Sequence, residues 1–191
     1  MKDSFKSGRK IRASERSMRW KQMAFVVGVV AAAFGSDAVS PPSTVEHVDL
    51  QRYMGQWYEI ARYPNRFEKA CISDVTANYL LRADGKVEVV NACRKADGQM
   101  KSSKGSAKVV DKHTNAKLKV TFFWPFYGDY WIIGLDPEYR YAIVSEPKRE
   151  YLWILSRTPV MDEQLYGGAI QIIREKGLDP AKLIKPKQTD R

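Results

Sequence analysis

The chain has 191 residues, 44% hydrophobic and 12% aromatic, enough for one domain with a real core and too apolar for a disordered chain. A net charge of +10 would suggest nucleic acid, but residues 1–38 carry eight Lys/Arg against three Asp/Glu, and residues 39–191 carry 24 against 19. Half of the excess therefore sits in a short leader, no basic stripe is interleaved with stacking aromatics, and no nucleic-acid partner is expected.

In the leader, basic residues through Lys21 precede the apolar run Met23–Phe34, and Ser36 and Ala38 offer small residues for cleavage. Residues 1–38 are thus expected to be a signal peptide, with Met18 as an alternative true start. Twelve apolar residues are short for a membrane span, although an uncleaved anchor is the alternative. Export places the protein in the periplasm or outside the cell, with outer-membrane association left open. No cysteine near the cleavage site offers a lipid-attachment point. The two cysteines, Cys71 and Cys93, form an even count that in an exported chain favours one disulfide, with two free buried thiols as the alternative. His47 and His113 are far from both in sequence, so no metal site and no cofactor are expected.

Residues 39–46, with Pro41 and Pro42, predict a flexible lead-in. Period-two alternation then predicts strands at 56–62, 74–82, 86–94 and 103–110, with Asp84-Gly85 a tight hairpin turn. The strand around Lys117 alternates Lys117, Lys119 and Thr121 with Leu118, Val120 and Phe122, one wet face and one dry. Residues 124–129 are expected to turn, followed by strands at 130–135, 139–145 and 151–156. After Pro159 the period changes to helical over 162–176, with Gly177 at the C-terminal cap. Gly167 and Gly168 inside that helix predict a close approach to the sheet. Residues 47–185 are expected to form the folded body and 186–191 a tail. Eight strands with short links suit a closed up-and-down barrel.

Three motifs carry a resemblance: Gly55-Gln56-Trp57-Tyr58-Glu59-Ile60-Ala61 at the first strand, Asp136-Pro137-Glu138-Tyr139 between the sixth and seventh, and Arg157 after the eighth. In that order, the chain resembles the lipocalins, and Pro125–Tyr130 and Leu152–Pro159 are similar to the bacterial lipocalin and apolipoprotein D branch. The resemblance implies an all-β, eight-stranded antiparallel barrel with a helix outside. It implies a floor in which Arg157 stacks on Trp57, with Gly55 letting the chain pass close beneath. It also implies a lumen for a small hydrophobic ligand, of which fatty acid or lysophospholipid is the expected class. The sequence offers no G-x-S-x-G elbow, metal-ligand cluster, Gly-rich phosphate loop or triad, so no catalytic residues are expected.

With Trp57 inward, strand parity places Glu59, Tyr79, Val89, Val120, Phe122, Trp131, Ile133, Ala142 and Ile154 in the lumen, and Trp124 at the portal. Seven aromatics in residues 122–131 predict a rim that touches ligand or, transiently, a membrane surface; an aromatic hairpin packed on the 63–73 loop is the alternative. If Asp84-Gly85 closes its hairpin, Cys93 falls opposite Val75 or Thr76, so the 63–73 loop must fold back for Cys71 to reach it. Rival readings are a lipocalin-type enzyme, a filled barrel acting at a membrane surface, and haem binding through His113. Oligomeric state is left open, a dimer included. Inside the barrel, Glu59 needs a donor, a proton, water or a polar ligand group.

Overall fold

The computed structural model describes residues 40–189; the leader and its cleavage site lie outside them. A single turn of helix, α1 (Leu50–Tyr53), precedes β1 (Gly55–Arg62), β2 (Ser73–Leu81), β3 (Val87–Arg94), β4 (Met100–Val109), β5 (Lys117–Phe123), β6 (Phe126–Leu135), β7 (Tyr141–Ser145) and β8 (Leu152–Ser156). The helix α2 (Glu163–Glu175) and a 3-10 turn (Pro180–Lys182) follow. Each strand pairs with the next and β8 returns to β1, giving a closed antiparallel barrel.

The eight strands fall in the expected order, although β4 begins at Met100 and β6 at Phe126, ahead of the alternation, and local chemistry sets the helix ends. Asp162 caps α2 by accepting from the backbone N–H groups of Gln164 and Leu165, and Gly177 follows with φ of +72°. Of the two glycines within α2, only Gly168 faces the wall, where a Cβ would lie 3.7 Å from the Tyr141 hydroxyl. Gly167 faces open space, and nothing in the structure explains it.

Two apolar clusters occupy the two sides of the wall. The lumen holds Trp57, Ala77, Tyr79, Val89, Leu118 and Ile132 among others. The outer cluster packs Ala169 and Ile173 of α2 against Ala61, Ile143 and Leu152. Here the parity reading needs correction: Trp131, Ile133 and Ile154 belong to the outer cluster rather than the lumen. Directly opposed residues share a face, and Trp131 stands opposite the wet-face Lys117, while Ile154 stands opposite Ala61 and Ile143. Bulges between Glu59 and Ala61 and between Ile132 and Gly134 shift the alternation, which sequence parity cannot see.

Both ends of the described chain are tied down. Val45 and Val48 donate to Ile132 and Thr114 carbonyls, and Val48 is fully buried, so the lead-in is attached to the barrel. At the other end, β1 and β2 are paired only over Gly55–Tyr58 and Thr76–Tyr79. The seam above is filled by residues 184–189. Ile184 exchanges backbone hydrogen bonds with Arg62, Lys187 accepts from the Asp74 N–H, and the Gln188 amide donates to both the Glu59 and Val75 carbonyls. Thr189 closes the strap on the Asp74 carboxylate. The segment expected as a tail is a stave of the wall.

Candidate binding lumen

In an up-and-down barrel, alternate links fall at opposite ends. At one end, the Arg157 guanidinium lies 3.8 Å from the centre of the Trp57 ring and donates to the Gln56 and Arg52 carbonyls at 2.9 and 2.6 Å. The Trp57 indole N–H donates to the Tyr53 carbonyl, tying α1 across the floor. Gly55 has φ of +92°, and a Cβ there would sit 3.4 Å from the Arg157 Nη1, so a side chain would be strained and would crowd the guanidinium. Asp136 accepts from the Glu138 and Arg140 backbone N–H groups and from the Arg140 guanidinium, building the neighbouring turn from the Asp-Pro-Glu-Tyr motif. This end is shut.

Above the floor, the hydroxyls of Tyr53 and Tyr79 each meet that of Tyr130, at 2.8 and 3.0 Å. Burial raises all three; Tyr79 is pushed up to about 12, so all three are neutral phenols near pH 7. Three hydroxyl protons serve two contacts, which leaves one donor for another group. An apolar cavity of about 10 Å3 lies alongside, bounded by Leu50, Met54, Val87 and Leu118.

Nearer the mouth sits a buried charge cluster. Arg62 contacts Glu59 at 2.5 Å and Glu68 at 2.9 Å, and the Trp153 indole donates to Glu68. The bulge after Glu59 puts both Glu59 and Arg62, three residues apart, on the inner side. Two carboxylates share one guanidinium, so one of them keeps a proton. Glu59 is the more buried, with side-chain exposure of 4% against 18% for Glu68. Burial, then the Glu68 charge, pushes Glu59 up to about 8 despite Arg62. Because this folded value exceeds the ordinary 4.5, its contribution to stability is full below about pH 4.5 and is lost as pH rises towards 8. Urea midpoints should therefore fall from pH 5 to pH 8, and Glu59→Gln should flatten that slope; an unchanged slope in the variant would refute the assignment. Asp74 opposes it at low pH. Burial would raise its carboxyl, but hydrogen bonds from Thr189 and Arg94 outweigh this and hold it well below the usual range.

The open end is stapled. Cys71 and Cys93 form a disulfide with Cα atoms 5.5 Å apart, pinning the loop after β1 to the end of β3. The loop does fold back: Ile72 donates to the Arg94 carbonyl, and a bulge between Ser73 and Thr76 takes up the extra residue. With a sequence separation of 22 between the cysteines, the chain-entropy estimate gives about 3 kcal/mol. A Cys71→Ser/Cys93→Ser protein should lose that amount in urea unfolding, and dithiothreitol should produce the same loss in the parent but none in the variant.

Of the residues expected in the lumen, Glu59, Tyr79, Val89, Val120, Phe122 and Ala142 line it, Phe122 lying over Gly105 on the opposite strand. Trp124 stands at the mouth, 81% exposed. Sequence reasoning missed Tyr53, Arg62, Glu68, Tyr130 and Trp153. Tyr130 follows from the Leu118–Tyr130 register, but Arg62 and Trp153 depend on bulges and on a folded-back loop. The aromatics of residues 123–127 do not pack on the 63–73 loop; β6 begins at Phe126 and the expected turn shrinks to Trp124-Pro125.

A single-ended antiparallel barrel with a shut floor, an apolar lower lumen and a stapled mouth defines the class of small-ligand-carrying barrels. The chain matches the family described as "Lipocalin-like domain" over residues 48–188 and belongs to the lipocalin family. It is 44% identical over 170 residues to the "Outer membrane lipoprotein Blc" of Citrobacter freundii, spanning 85% of this chain and 96% of that one. It is 41% identical over 154 residues to "Temperature-induced lipocalin-1" of Arabidopsis thaliana, covering 76% and 82%. Against "Apolipoprotein D" of Mus musculus the identity is 35% over 161 residues, covering 79% and 82%. Among solved structures, insecticyanin from the tobacco hornworm Manduca sexta superposes with a TM-score of 0.65 at 22% identity, over 79% of this chain and 85% of that one. That likeness concerns the fold alone.

Proposed function

We propose that the protein is an exported carrier that holds a small hydrophobic molecule, of fatty-acid or lysophospholipid class, in the barrel lumen. Family membership supports a small hydrophobic ligand. The observation that carries the finer reading is the division of the lumen. Its lower part is apolar wall and neutral phenols, suited to an acyl tail, whereas its polar groups gather near the mouth at Glu59, Arg62 and Glu68. Glu59, Tyr79, Val89, Val120, Phe122 and Ala142 would line the bound molecule, with Trp124 at the portal. Binding rather than catalysis is the reading, because the buried polar groups are committed to one another and to the loop. The compartment we propose is the periplasm, following the signal-like leader and the disulfide; the bacterial relative's printed name, an outer membrane lipoprotein, fits the same envelope.

Native mass spectrometry of the protein recovered from its own periplasm, followed by solvent extraction, tests this. A lipid-range adduct that disappears on extraction is the expected result. Repeated preparations without any adduct, and no uptake of added fatty acid or lysophospholipid, would overturn it in favour of a filled barrel.

A further inference from the structure

The β5–β6 hairpin ends in apolar side chains that the fold leaves uncovered. Phe123 pairs with Phe126 across the two-residue turn Trp124-Pro125, and the three aromatics are 80%, 77% and 81% exposed, respectively for Phe123, Phe126 and Trp124. Packing does not require them there, since neither apolar cluster includes them. Burying such side chains is what normally offsets their cost in water, and a tip of three large exposed aromatics implies a partner.

Charge indicates which partner. The open end carries exposed Arg66, Lys69, Lys101 and Lys148, and Lys108 lies over the Tyr127 ring at 4.9 Å. Among the described residues none of these five forms an ion pair. The acids of the same end are largely spent: Asp97 is paired with Lys95, Asp129 with Lys119, and Glu68 with Arg62. Glu150 is the exposed exception. An aromatic tip among unpaired cations matches an anionic lipid surface, where Trp seats at the headgroup level and Lys and Arg meet phosphates. The tip also projects, as its exposure requires, which suits insertion into a soft surface.

We infer that the protein docks on anionic bilayers mouth-first, through the Phe123–Tyr127 tip and the basic rim, so that the lumen opens towards the lipid. This rests on the carrier reading above for its use, but not for its geometry. A docked mouth would let an acyl chain pass between bilayer and lumen without crossing water.

The test uses residues 40–191, because the described barrel is complete within them and the apolar run 23–34 would itself partition into lipid. Co-sedimentation with phosphatidylglycerol-containing vesicles should exceed that with pure phosphatidylcholine by about tenfold or more, and should weaken with salt. Phe123→Ser/Phe126→Ser should reduce it by about tenfold, and Lys69→Glu/Lys101→Glu should reduce it for the anionic vesicles alone. Both variants should retain the parent's near-ultraviolet circular dichroism and its uptake of cis-parinaric acid. Equal partitioning to both vesicle types would overturn the inference, as would anionic-vesicle binding unchanged by the tip substitutions. So would tip-dependent self-association in sedimentation velocity without vesicle binding, which would assign the tip to a second copy of the chain. Vesicle binding in a protein that takes up neither parinaric acid nor lysophospholipid would instead refute the carrier reading and leave the docking in place.

Discussion

Arg62→Met is expected to destabilise the protein by about 3–5 kcal/mol in urea unfolding at neutral pH, the typical cost of removing one partner from a buried ion cluster. Arg62 is the only cation facing Glu59 and Glu68 in the described salt bridges, and it also donates to the Cys71 carbonyl. Without it, a buried carboxylate is left uncompensated and the loop between β1 and β2 loses one of its polar attachments to the wall. Two further outcomes separate this mechanism from lost packing. Adding Glu68→Gln to the Arg62→Met protein should recover part of the loss, because Glu59 already keeps a proton and Glu68 is the partner left without its cation. The Arg62→Met protein should also recover as pH falls from 8 towards 5, because Glu59, pushed up to about 8 even with Arg62 in place, takes up its proton over that range. A loss under about 1 kcal/mol, or one indifferent to both changes, would show that the cluster contributes little.

Trp57→Ala is expected to cost a comparable amount, about 3–5 kcal/mol, since it removes a fully buried indole from the barrel floor. Part of that loss should be shared with Arg157. A double-mutant cycle using Trp57→Leu and Arg157→Met should return a coupling of about 0.5–2 kcal/mol, the range for a cation over an aromatic face. The two carbonyls that accept from Arg157 make its own substitution costly independently of the ring. A coupling of zero would reduce the pair to neighbours, with Arg157 acting only as a clamp on the Arg52 and Gln56 backbone.

The barrel itself was readable because its evidence is local. Alternation around Lys117–Phe122, the Asp84-Gly85 turn, and the switch to helical spacing after Pro159 each require only neighbours in sequence. The floor was readable for a different reason: Gly55, Trp57 and Arg157 occur at strand positions that the family resemblance assigns. The lumen was legible only in part. Tyr79 and Val120 follow their strands' alternation, but Ile133 and Ile154 sit beyond or opposite bulges, where a one-residue slip reverses the face. Arg62 escaped notice because it lies past such a bulge, and an arginine at a strand end ordinarily reads as solvated. Glu68 and Trp153 meet only because a loop returns 85 residues away in sequence. No pattern along the chain encodes that return. The C-terminal strap was hidden in the same way, its Lys185-Pro186-Lys187 composition reading as a polar tail.

That strap bears on the order in which the molecule can be finished. Gln188 bonds to a carbonyl 129 residues earlier, so a segment synthesised after every strand completes a wall begun by the first strand. Until it arrives, the Glu59 and Val75 carbonyls and the Arg62 and Asp74 amides face an unclosed slot beside the charge cluster. A growing chain can thus build most of its hairpins early yet cannot become a sealed container before residues 184–189 are free to fold back. For anyone handling the protein, a fusion or affinity tag placed after residue 191 follows the strap by two residues, whereas one placed before residue 40 precedes the lead-in. Cargo retention measured on C-terminally tagged material would report on the tag as much as on the barrel.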